Sequence, residues 1–512
     1  MNKTRSISLS LSVVLLVSVF VPCFVIMPTF VEAQTPIKIG FFAPFTGGGL
    51  DFYAPWTKQG FELGMIYATT MMGYDNENKT QAGRPYELYY YDTQGALGPA
   101  TAATLATTAI ETDGIDILVG GTYSSSAAAI APIAEDYQKL YFMTPAAGAS
   151  LTAANFNPYI FRIARNNWHD AYAGVTYAMD TLNHTRFAFL AADYSFGRDG
   201  VASFSRVIEE KGGTVVSIQY ASLFTSVWDS YMTALIHADQ FLGGVDYLFV
   251  IWAGSFASMY SAFGTFSIPS YMDISGASID IFQMNEIEAS LVPPATLVNA
   301  TGLCLYGYDL PNNTANDWMV SEYIARDIQT DAHVTLSPGM RPEILTFRAP
   351  ELFSASGFAT AQFLVDVTTA IPDLDSGLMI NYLESGVTID TPKGPTYLRP
   401  EDHQGLAEMY IAKVVNDTRP GSETENLIIA ELVETLDRNK VAPPIESVWN
   451  GEPYVPGGFA PTTPTTTTTT GTTTGTTTDT GPPPIPMEIL LVIGLGGGVV
   501  IVLIAVVVLR RR

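Results

Sequence analysis

The stretch Ile115-Asp116-Ile117-Leu118-Val119-Gly120-Gly121-Thr122-Tyr123-Ser124-Ser125-Ser126-Ala127 carries the clearest local signal of the fold. Its apolar run predicts a buried strand, its glycine pair a turn, and its serines the start of a helix. Further predicted strands, separated by helical segments, cover Ile37–Phe42, Tyr86–Tyr91, Leu140–Met143, Phe187–Ala191, Thr214–Tyr220 and Tyr247–Trp252. This alternation predicts parallel sheets with helices on both faces, and its restart at Phe187 predicts two such α/β lobes.

Composition excludes several classes of function. The chain has 512 residues and a formal net charge of −25, which argues against nucleic-acid binding because that needs clustered Lys and Arg. Two cysteines, Cys23 and Cys304, exclude a disulfide scaffold and a Cys-rich zinc site. The five histidines are scattered, and neither a nucleophile elbow nor a phosphate loop occurs. We therefore expect no metal, no cofactor and no enzymatic activity.

The two ends differ in composition from the body. Residues 1–33 have the basic start and apolar run of a cleaved signal peptide, with an uncleaved membrane helix as the alternative. Residues 459–487 are rich in Thr, Pro and Gly, which predicts an extended stalk. The apolar run 488–509 predicts a single transmembrane helix, and the arginines 510–512 predict a cytoplasmic tail. The expected location is the cell membrane, with an extracytoplasmic body over 34–458.

Five glycosylation sequons fit that location and predict a glycoprotein. They begin at Asn78, Asn183, Asn299, Asn312 and Asn416.

The loops that follow the predicted strands are the expected ligand-binding elements, because parallel sheets bind ligands beyond the carboxyl ends of their strands. Ser124 lies at a helix start, which attracts anions, although capping of the helix alone would also explain a serine there. The loop 144–149 consists of small residues that let a ligand approach the backbone. The loop 193–197 offers aromatic side chains from the second lobe.

The order and spacing of these segments resemble the type I periplasmic binding proteins, specifically the leucine/isoleucine/valine-binding branch. The resemblance is carried by Ile37–Phe45, Ile115–Ala127, Met143–Ala147, Phe161–Arg162, Asp193–Gly200 and Arg399–Ile411. It implies two doubly wound parallel-sheet lobes, joined by a three-strand hinge, that close on a small solute. Lobe 1 would comprise about 34–162 and 285–392, and lobe 2 about 163–284 and 393–458.

The resemblance also implies a set of ligand-binding residues. Ser124 would bind a carboxylate, while Ala146 and Gly148 would offer backbone groups and the aromatic side chains would cover the ligand. The implied set is Phe52, Tyr53, Tyr123, Ser124, Ser125, Ala146, Gly148, Tyr194, Phe196, Trp252 and Ser278.

Two departures from the family pattern weaken the case for an amino-acid ligand. Gly148 stands where a threonine often helps to bind the ammonium group, and Ser278 stands where an acid usually pairs with it, unless Asp280 takes that role. A buried ammonium without a carboxylate would be costly, so an amide or a plain carboxylic acid remains open.

The function implied is a tethered solute-binding protein that delivers an amino acid, or a related amide or carboxylate, to the permease of an ABC importer. The predicted stalk and anchor resemble those that hold some archaeal binding proteins at the cell surface, and this resemblance implies an archaeal source. Two alternatives are a sensory ectodomain that works with a separate signalling partner, and a surface enzyme on the same fold.

Overall fold

The computed structural model describes residues 35–46, 53–71, 80–81, 84–94, 98–254, 256–276, 300–304, 306–328, 349–416, 418, 428–459, 492–496 and 499–503. The chain divides into two compact units, residues 1–462 and 463–512, which are described separately. The predicted signal peptide and nearly all of the predicted stalk lie outside the described residues.

The first unit is an α/β structure whose strands form two large sheets. In chain order its main strands are β1 Ile37–Ala43, β2 Thr80–Gln81, β3 Arg84–Asp92, β4 Ile117–Gly120, β5 Tyr141–Met143, β6 Ile160–Arg162, β7 Arg186–Ala192, β8 Thr214–Ala221, β9 Tyr247–Ile251, β10 Asp273–Gly276, β11 Thr301–Cys304, β12 Thr388–Thr391, β13 Gly394–Arg399, β14 Gln404–Leu406, β15 Met409–Asn416 and β16 Ile428–Leu436.

Helices connect most of these strands. They are α1 Tyr53–Met71, α2 Pro99–Thr108, α3 Ser124–Asp136, α4 Asn167–Thr176, α5 Ser195–Glu210, α6 Asp229–Phe241, α7 Ala257–Thr265, α8 Thr314–Ala325, α9 Leu352–Ala370, α10 Ser376–Leu383 and α11 Arg438–Val441.

The first sheet has nine strands in the order β12-β13-β14-β6-β5-β4-β1-β3-β2. The strands from β3 to β14 in this order run parallel, while β2, β12 and β13 pair antiparallel at the edges. The predicted parallel sheet is thus confirmed. The apolar side chains of β1, β4 and β5 form its fully buried centre, as expected for a sheet covered on both faces.

The second sheet has seven strands in the order β16-β15-β11-β10-β9-β7-β8. Strands β7 to β11 are parallel, and β15 and β16 complete the sheet as an antiparallel edge. Strand β9 is buried along its whole length. The restart of the strand–helix pattern at Phe187 therefore corresponds to a second doubly wound sheet.

The chain passes between the two sheets three times, after β6, between β11 and β12, and between β14 and β15. The sheets nevertheless divide the chain differently from the predicted lobe boundaries. Strand β11 was predicted in lobe 1 but pairs with β10 and β15, and β13 and β14 were predicted in lobe 2 but join the first sheet. Long-range pairing decides these edge positions, and a single chain carries no local signal for it.

Helices α1 and α9 pack at very short distance through glycines. A Cβ atom at Gly60 would lie 1.9 Å from the carbonyl oxygen of Ser354, and one at Gly357 would lie 2.3 Å from that of Thr57. Only glycine lets the two backbones approach this closely. The contact joins α1, which follows β1, to α9, which lies in the connection between β11 and β12.

The segment 447–459 packs back on the first sheet's core. The Glu384 carboxylate accepts a hydrogen bond from the Tyr454 hydroxyl and another from the Gly457 N–H at 2.6 Å. His403 Nε2 lies 2.9 Å from the same carboxylate, and its ring stacks on Phe161. Buried polar side chains thus fasten the end of the body to the first sheet.

The second unit contains two described strands, Val492–Gly496 and Val499–Leu503, which pair antiparallel. The transmembrane helix predicted over 488–509 is not found in these described residues, which are strands. Valine and isoleucine favour extended structure, and the glycines between them disfavour a helix. Across the described part of the chain, no helix combines the length and apolarity needed to span a membrane.

Three of the five sequon asparagines lie in the described body, at Asn183, Asn312 and Asn416, and all three are exposed. Asn78 and Asn299 lie outside the described residues. Glycosylation itself stays a prediction.

Candidate functional site

The candidate site lies where the strand order changes direction in the first sheet. Strand β1 is flanked by β3 on one side and β4 on the other, so the connections that leave β1 and β4 run to opposite sides. Such a switch point opens a crevice beyond the carboxyl ends of the strands. The turn after β4 leads into α3, and the loop after β5 runs through Thr144 to Gly148.

Glycines make the turn after β4 possible. Gly120 and Gly121 have φ values of +108° and +78°, a region that side-chain-bearing residues rarely adopt. A Cβ atom at Gly121 would also lie 2.0 Å from the Tyr141 hydroxyl oxygen. The turn brings Ser124 to the first position of α3, with Tyr123 as the N-cap residue.

Ser124 and Gly148 are in direct contact. The Gly148 N–H donates to Ser124 Oγ at 3.0 Å, so the serine ties the two loops together rather than capping its own helix. A Cβ atom at Gly148 would lie 3.1 Å from Ser124 Oγ and 3.0 Å from Asp199 Oδ2. A threonine at this position would therefore be crowded by both side chains.

Two helices from different sheets begin at this place. Tyr123 is the N-cap of α3 and Tyr194 is the N-cap of α5, and neither side chain caps its own helix. The two tyrosine rings contact edge to face, with centroids 6.1 Å apart. The partly positive N-termini of both helices therefore face one region. Burial raises the pKa of Tyr194, opposed by the nearby Arg165.

Buried hydroxyls lie on both helix starts. The oxygens of Thr122, Ser126 and Ser195 are buried and have no hydrogen-bond partner among the described residues. An unpaired buried hydroxyl costs about 1–3 kcal/mol, so water or a bound polar group would supply the missing hydrogen bonds of these three hydroxyls.

An aromatic cluster lies against these helix starts. Tyr53, Trp56 and Tyr123 from the first sheet's side share one buried cluster with Trp228 and Trp252 from the second. Two partly buried side chains, Tyr194 and Phe353, pack against it. The Phe353 ring lies 4.3 Å from that of Tyr53, centroid to centroid.

Buried cations lie behind the loop after β5. Arg162 is fully buried and donates to three uncharged acceptors: the Gly148 carbonyl at 2.5 Å, Thr152 Oγ1 at 2.5 Å and Gln404 Oε1 at 2.7 Å. Burial lowers its pKa to about 9, which still leaves it charged at neutral pH. Arg162 thus holds the Gly148 loop in place and adds positive charge there.

Two more cations accompany Arg162. Arg165 pairs with Asp170 at 2.8 Å, and burial raises the pKa of that carboxyl while Arg165 opposes the rise. The Lys393 ammonium is buried, with the Ile163 carbonyl oxygen 3.3 Å away. Burial, and then Arg165, lower the pKa of Lys393 to about 7. Of these three buried cations, Arg162, Arg165 and Lys393, only Arg165 is in a direct ion pair with a carboxylate among the described residues.

The structure brings together most of the predicted site residues. Ser124, Gly148, Tyr123 and Tyr194 lie in contact as described, and Tyr53 and Trp252 share the aromatic cluster with Tyr123. Trp252 is only 3% exposed and stacks edge to face on Trp228, so packing accounts for most of its surface.

The other predicted residues are less central. Phe196 contacts Tyr194, with ring centroids 5.9 Å apart, and its carbonyl accepts from Asn167. Ala146 is buried and Ser125 is half-buried on α3. Phe52 and Ser278 lie outside the described residues, as does Asp280.

Sequence reasoning missed Trp56, Phe353, Arg165 and Asp199. Trp56 follows Tyr53 by one helical turn, and that spacing was an available signal. Phe353 and Arg165 have none, because chain crossings far apart in sequence bring them here. Within the described ranges, no group of three or more His, Cys, Asp or Glu residues could hold a metal ion.

The fold and this crevice define a two-sheet α/β ligand-binding protein. The family model described as "Periplasmic binding protein" matches residues 36–419, so the chain belongs to the periplasmic binding proteins, of type I and in the branched-chain amino acid family. The predicted family is thereby confirmed.

Known proteins similar to the chain agree with this assignment. A Leu/Ile/Val-binding protein homolog 6 from Brucella abortus (strain 2308) is 22% identical over 385 residues, covering 74% of this chain and 87% of its own length. The structure of an ABC-type branched-chain amino acid transporter from Rhodopseudomonas palustris is 27% identical with a TM-score of 0.60, covering 81% of this chain and all of that one.

A third similar structure contains a bound ligand. A solute-binding protein of an ABC transporter from R. palustris in complex with 4-hydroxybenzoate is 18% identical, with a TM-score of 0.62, covering 79% of this chain and 98% of that one. These relatives are binding proteins of transporters rather than enzymes.

Proposed function

We propose that this protein is an extracytoplasmic solute-binding protein that captures a small carboxylic acid with an apolar or aromatic body and delivers it to an ABC importer. The observation that carries the proposal is the meeting of two helix N-termini, one from each sheet, beside the contact between Ser124 and Gly148. Helix N-termini favour anions, and a carboxylate is the anion that a small organic solute most often carries.

The charge distribution around the crevice supports an anionic ligand. Arg162 and Lys393 are buried without a carboxylate in direct contact among the described residues. Their fields act through a protein interior that screens charge less than water does. The net charge of −25 belongs to the chain as a whole and does not decide the sign of the ligand.

The aromatic cluster supports an apolar body for that ligand. Tyr53, Trp56 and Tyr123 offer ring faces and edges at the helix starts, and rings pack on other rings with a gain of about 0.5–1.5 kcal/mol per pair. Similar solved structures hold 4-hydroxybenzoate, 3,4-dihydroxybenzoate and benzoate. Benzoates are therefore the first candidates, and leucine, isoleucine and valine are the second, after the Leu/Ile/Val-binding relatives.

The first unit has two halves, each built on one of the two large sheets. Binding would work by closure of these halves about the three chain crossings, which would act as the hinge. Contacts that a ligand makes with both halves favour the closed arrangement, and a permease would recognise that arrangement. The protein would return the solute chemically unchanged.

Attachment to a membrane is part of the proposal and rests on composition alone. The Thr-, Pro- and Gly-rich stretch 459–487, the apolar run 488–509 and the arginines 510–512 support it. Recovery of the full-length protein in the membrane fraction, and its release by detergent but not by high salt, is the expected result. Release by salt alone would contradict attachment through the apolar run.

A solute screen tests the ligand class. Benzoate, hydroxybenzoates, branched-chain amino acids and their amides would be added to the full-length protein in detergent, and the melting temperature measured. A ligand at about 100 times its Kd stabilises the folded state by about 2.7 kcal/mol. We expect the largest increases in melting temperature with benzoates. Increases with leucine or valine alone would show that the ligand is an amino acid rather than a plain carboxylic acid.

Replacement of Ser124 by alanine tests the site. Ser124→Ala should weaken binding of the best ligand roughly tenfold to a hundredfold, because it removes a hydrogen bond to a charged group. Ser230, exposed and second in helix α6, provides the matched control, and Ser230→Ala should leave the Kd unchanged. Equal affinities of the two variants, measured by calorimetry, would remove Ser124 from the site.

A further inference from the structure

A second cavity lies behind the Gly148 loop, outside the crevice described above. Its volume is about 250 Å³, and its walls come from elements of both sheets. Ser150 lies in the loop after β5, Trp168 on α4, Asp199 and Arg206 on α5, and Pro443 and Glu446 on the segment after α11.

One carboxylate in this cavity makes no direct ion pair within the described ranges, and the buried cation Arg162 acts on it electrostatically. Asp199 Oδ2 accepts from the Ser150 N–H at 3.1 Å and from the Ser150 hydroxyl at 2.7 Å, and no ion pair joins Asp199 to any residue in the described ranges. Arg206, by contrast, is shared between Glu210 at 2.9 Å and Glu446 at 2.7 Å.

The remaining acid of the wall is already neutralised. Asp402 is buried and accepts two hydrogen bonds from the Arg399 guanidinium, at 2.8 and 2.5 Å. Of the acids that line the cavity, Asp199 is therefore the one without a direct ion pair, while Glu446 shares the Arg206 guanidinium with Glu210.

The rest of the wall combines the polar side chains of Thr152, Asn166 and Ser203 with apolar surface from Trp168 and two prolines. The Trp168 ring is covered on one side by the Arg206 guanidinium, 5.1 Å from the ring centroid, and Pro443 and Pro444 also line the cavity. The indole Nε1 of Trp168 is buried and has no hydrogen-bond partner among the described residues. A buried donor of this kind is rarely left unpaired, and water or an acceptor on a bound ligand would supply its missing hydrogen bond.

We propose that this cavity is a second binding site, and that its ligand is a small organic ammonium ion with a short apolar body. The ammonium group would pair with Asp199 and Glu446, and the body would pack on Trp168 and the two prolines. A cavity of roughly 150 Å³ holds benzene, so 250 Å³ admits a chain of several carbons. A hydroxyl group on the ligand would give Trp168 its acceptor.

The site is placed to influence solute capture. Ser150 and Asp199 join the loop after β5 to helix α5, and both adjoin Gly148 at the first crevice. A ligand that bridges the two sides favours one arrangement of them, and the coupling must be reciprocal. Only this coupling rests on the proposed function, whereas the cavity and its charge do not.

The test is a tryptophan-fluorescence titration of the full-length protein with n-butylammonium chloride at constant ionic strength. We expect saturable binding that Asp199→Asn weakens at least tenfold, because the neutral amide keeps the bonds from Ser150 but loses the charge. Glu209, an exposed acid on the same helix outside the cavity, provides the matched control, and Glu209→Gln should bind as the wild type does.

A second variant tests the space rather than the charge. Ala202→Leu fills the cavity from an exposed position of α5 and should abolish binding with Asp199 intact. Equal affinity for n-butanol, equal affinity of the Asp199→Asn variant, or loss of binding in Ser124→Ala would overturn the proposal. The titration with n-butylammonium needs no solute in the first crevice. It therefore tests the second cavity even if the solute screen finds no ligand for the first.

Discussion

At the scale of single residues, buried cations decide the character of the candidate site. Arg162 is satisfied by neutral acceptors, Arg165 by a carboxylate, and Lys393 has one carbonyl within hydrogen-bond distance. A charged lysine in a protein interior is costly, so part of the stability of the fold is given up beside the candidate site. This is consistent with positive charge kept for a functional reason.

Lys393 gives the stability of the protein a defined pH dependence. Its pKa falls to about 7 in the folded state, from 10.5, because of burial and then Arg165. Between these values the unfolded chain binds more protons than the folded one, so the free energy of unfolding rises with pH, by at most about 1.4 kcal/mol per unit. We expect Lys393→Met to be more stable than the wild type at pH 7, with a gap that narrows towards pH 10.

Urea unfolding from pH 7 to 10 measures that gap. Lys440 is exposed, and Lys440→Met should show the same pH dependence as the wild type. A gap between wild type and Lys393→Met that stays constant across the range would show that the lysine does not titrate there.

At the scale of elements, the two sheets depend on close helix contacts and on fastened segments. Glycines let α1 and α9 touch backbone to backbone, and Glu384 binds the segment 447–459 through Tyr454 and Gly457. Both contacts join parts of the chain that are far apart in sequence. They hold the first sheet's half together across the crossings.

Gly60 should tolerate no side chain. A Cβ atom there would lie 1.9 Å from a backbone oxygen, so Gly60→Ala must push α1 and α9 apart. We expect a loss of about 3 kcal/mol or more in the free energy of unfolding, measured by denaturant titration. Thr70→Ala, at an exposed position of the same helix, should change it by less than about 0.5 kcal/mol.

At the scale of the whole first unit, the two halves are in contact at the crevice. The Tyr123–Tyr194 ring contact and the Ser150–Asp199 hydrogen bonds join them. Two hydrophobic clusters also contain side chains of both halves: Tyr53 packs with Trp252, and Leu63 of α1 packs with the second sheet. We expect a hinge equilibrium in which opening exposes part of this apolar surface and a ligand that bridges the halves favours the closed arrangement.

X-ray scattering should detect that equilibrium. Addition of the best ligand from the solute screen should reduce the radius of gyration of the full-length protein, because it favours the closed arrangement. Tyr194→Ala removes one of the contacts between the halves and should require more ligand for the same reduction. A radius that is identical with and without saturating ligand would show that capture does not involve closure.

Local patterns in the sequence were sufficient for seven strands, β1, β3, β4, β5, β7, β8 and β9, and for the helix start and the loops that hold Ser124 and Gly148. Each is encoded by neighbouring residues: an apolar run, a glycine pair that permits positive φ, and a serine where the backbone turns into a helix. The family followed from their order, because spacing along the chain is preserved when individual residues change.

The tertiary structure alone decided which distant segments meet. It placed β11 in the second sheet and β13 and β14 in the first, brought Phe353 against Tyr53, and put Asp199 beside Gly148. It also replaced the predicted C-terminal helix by two short strands where it describes that stretch. These outcomes depend on pairing and packing between residues far apart in the chain, and the free energy of such contacts is spread over many partners rather than encoded in any one segment.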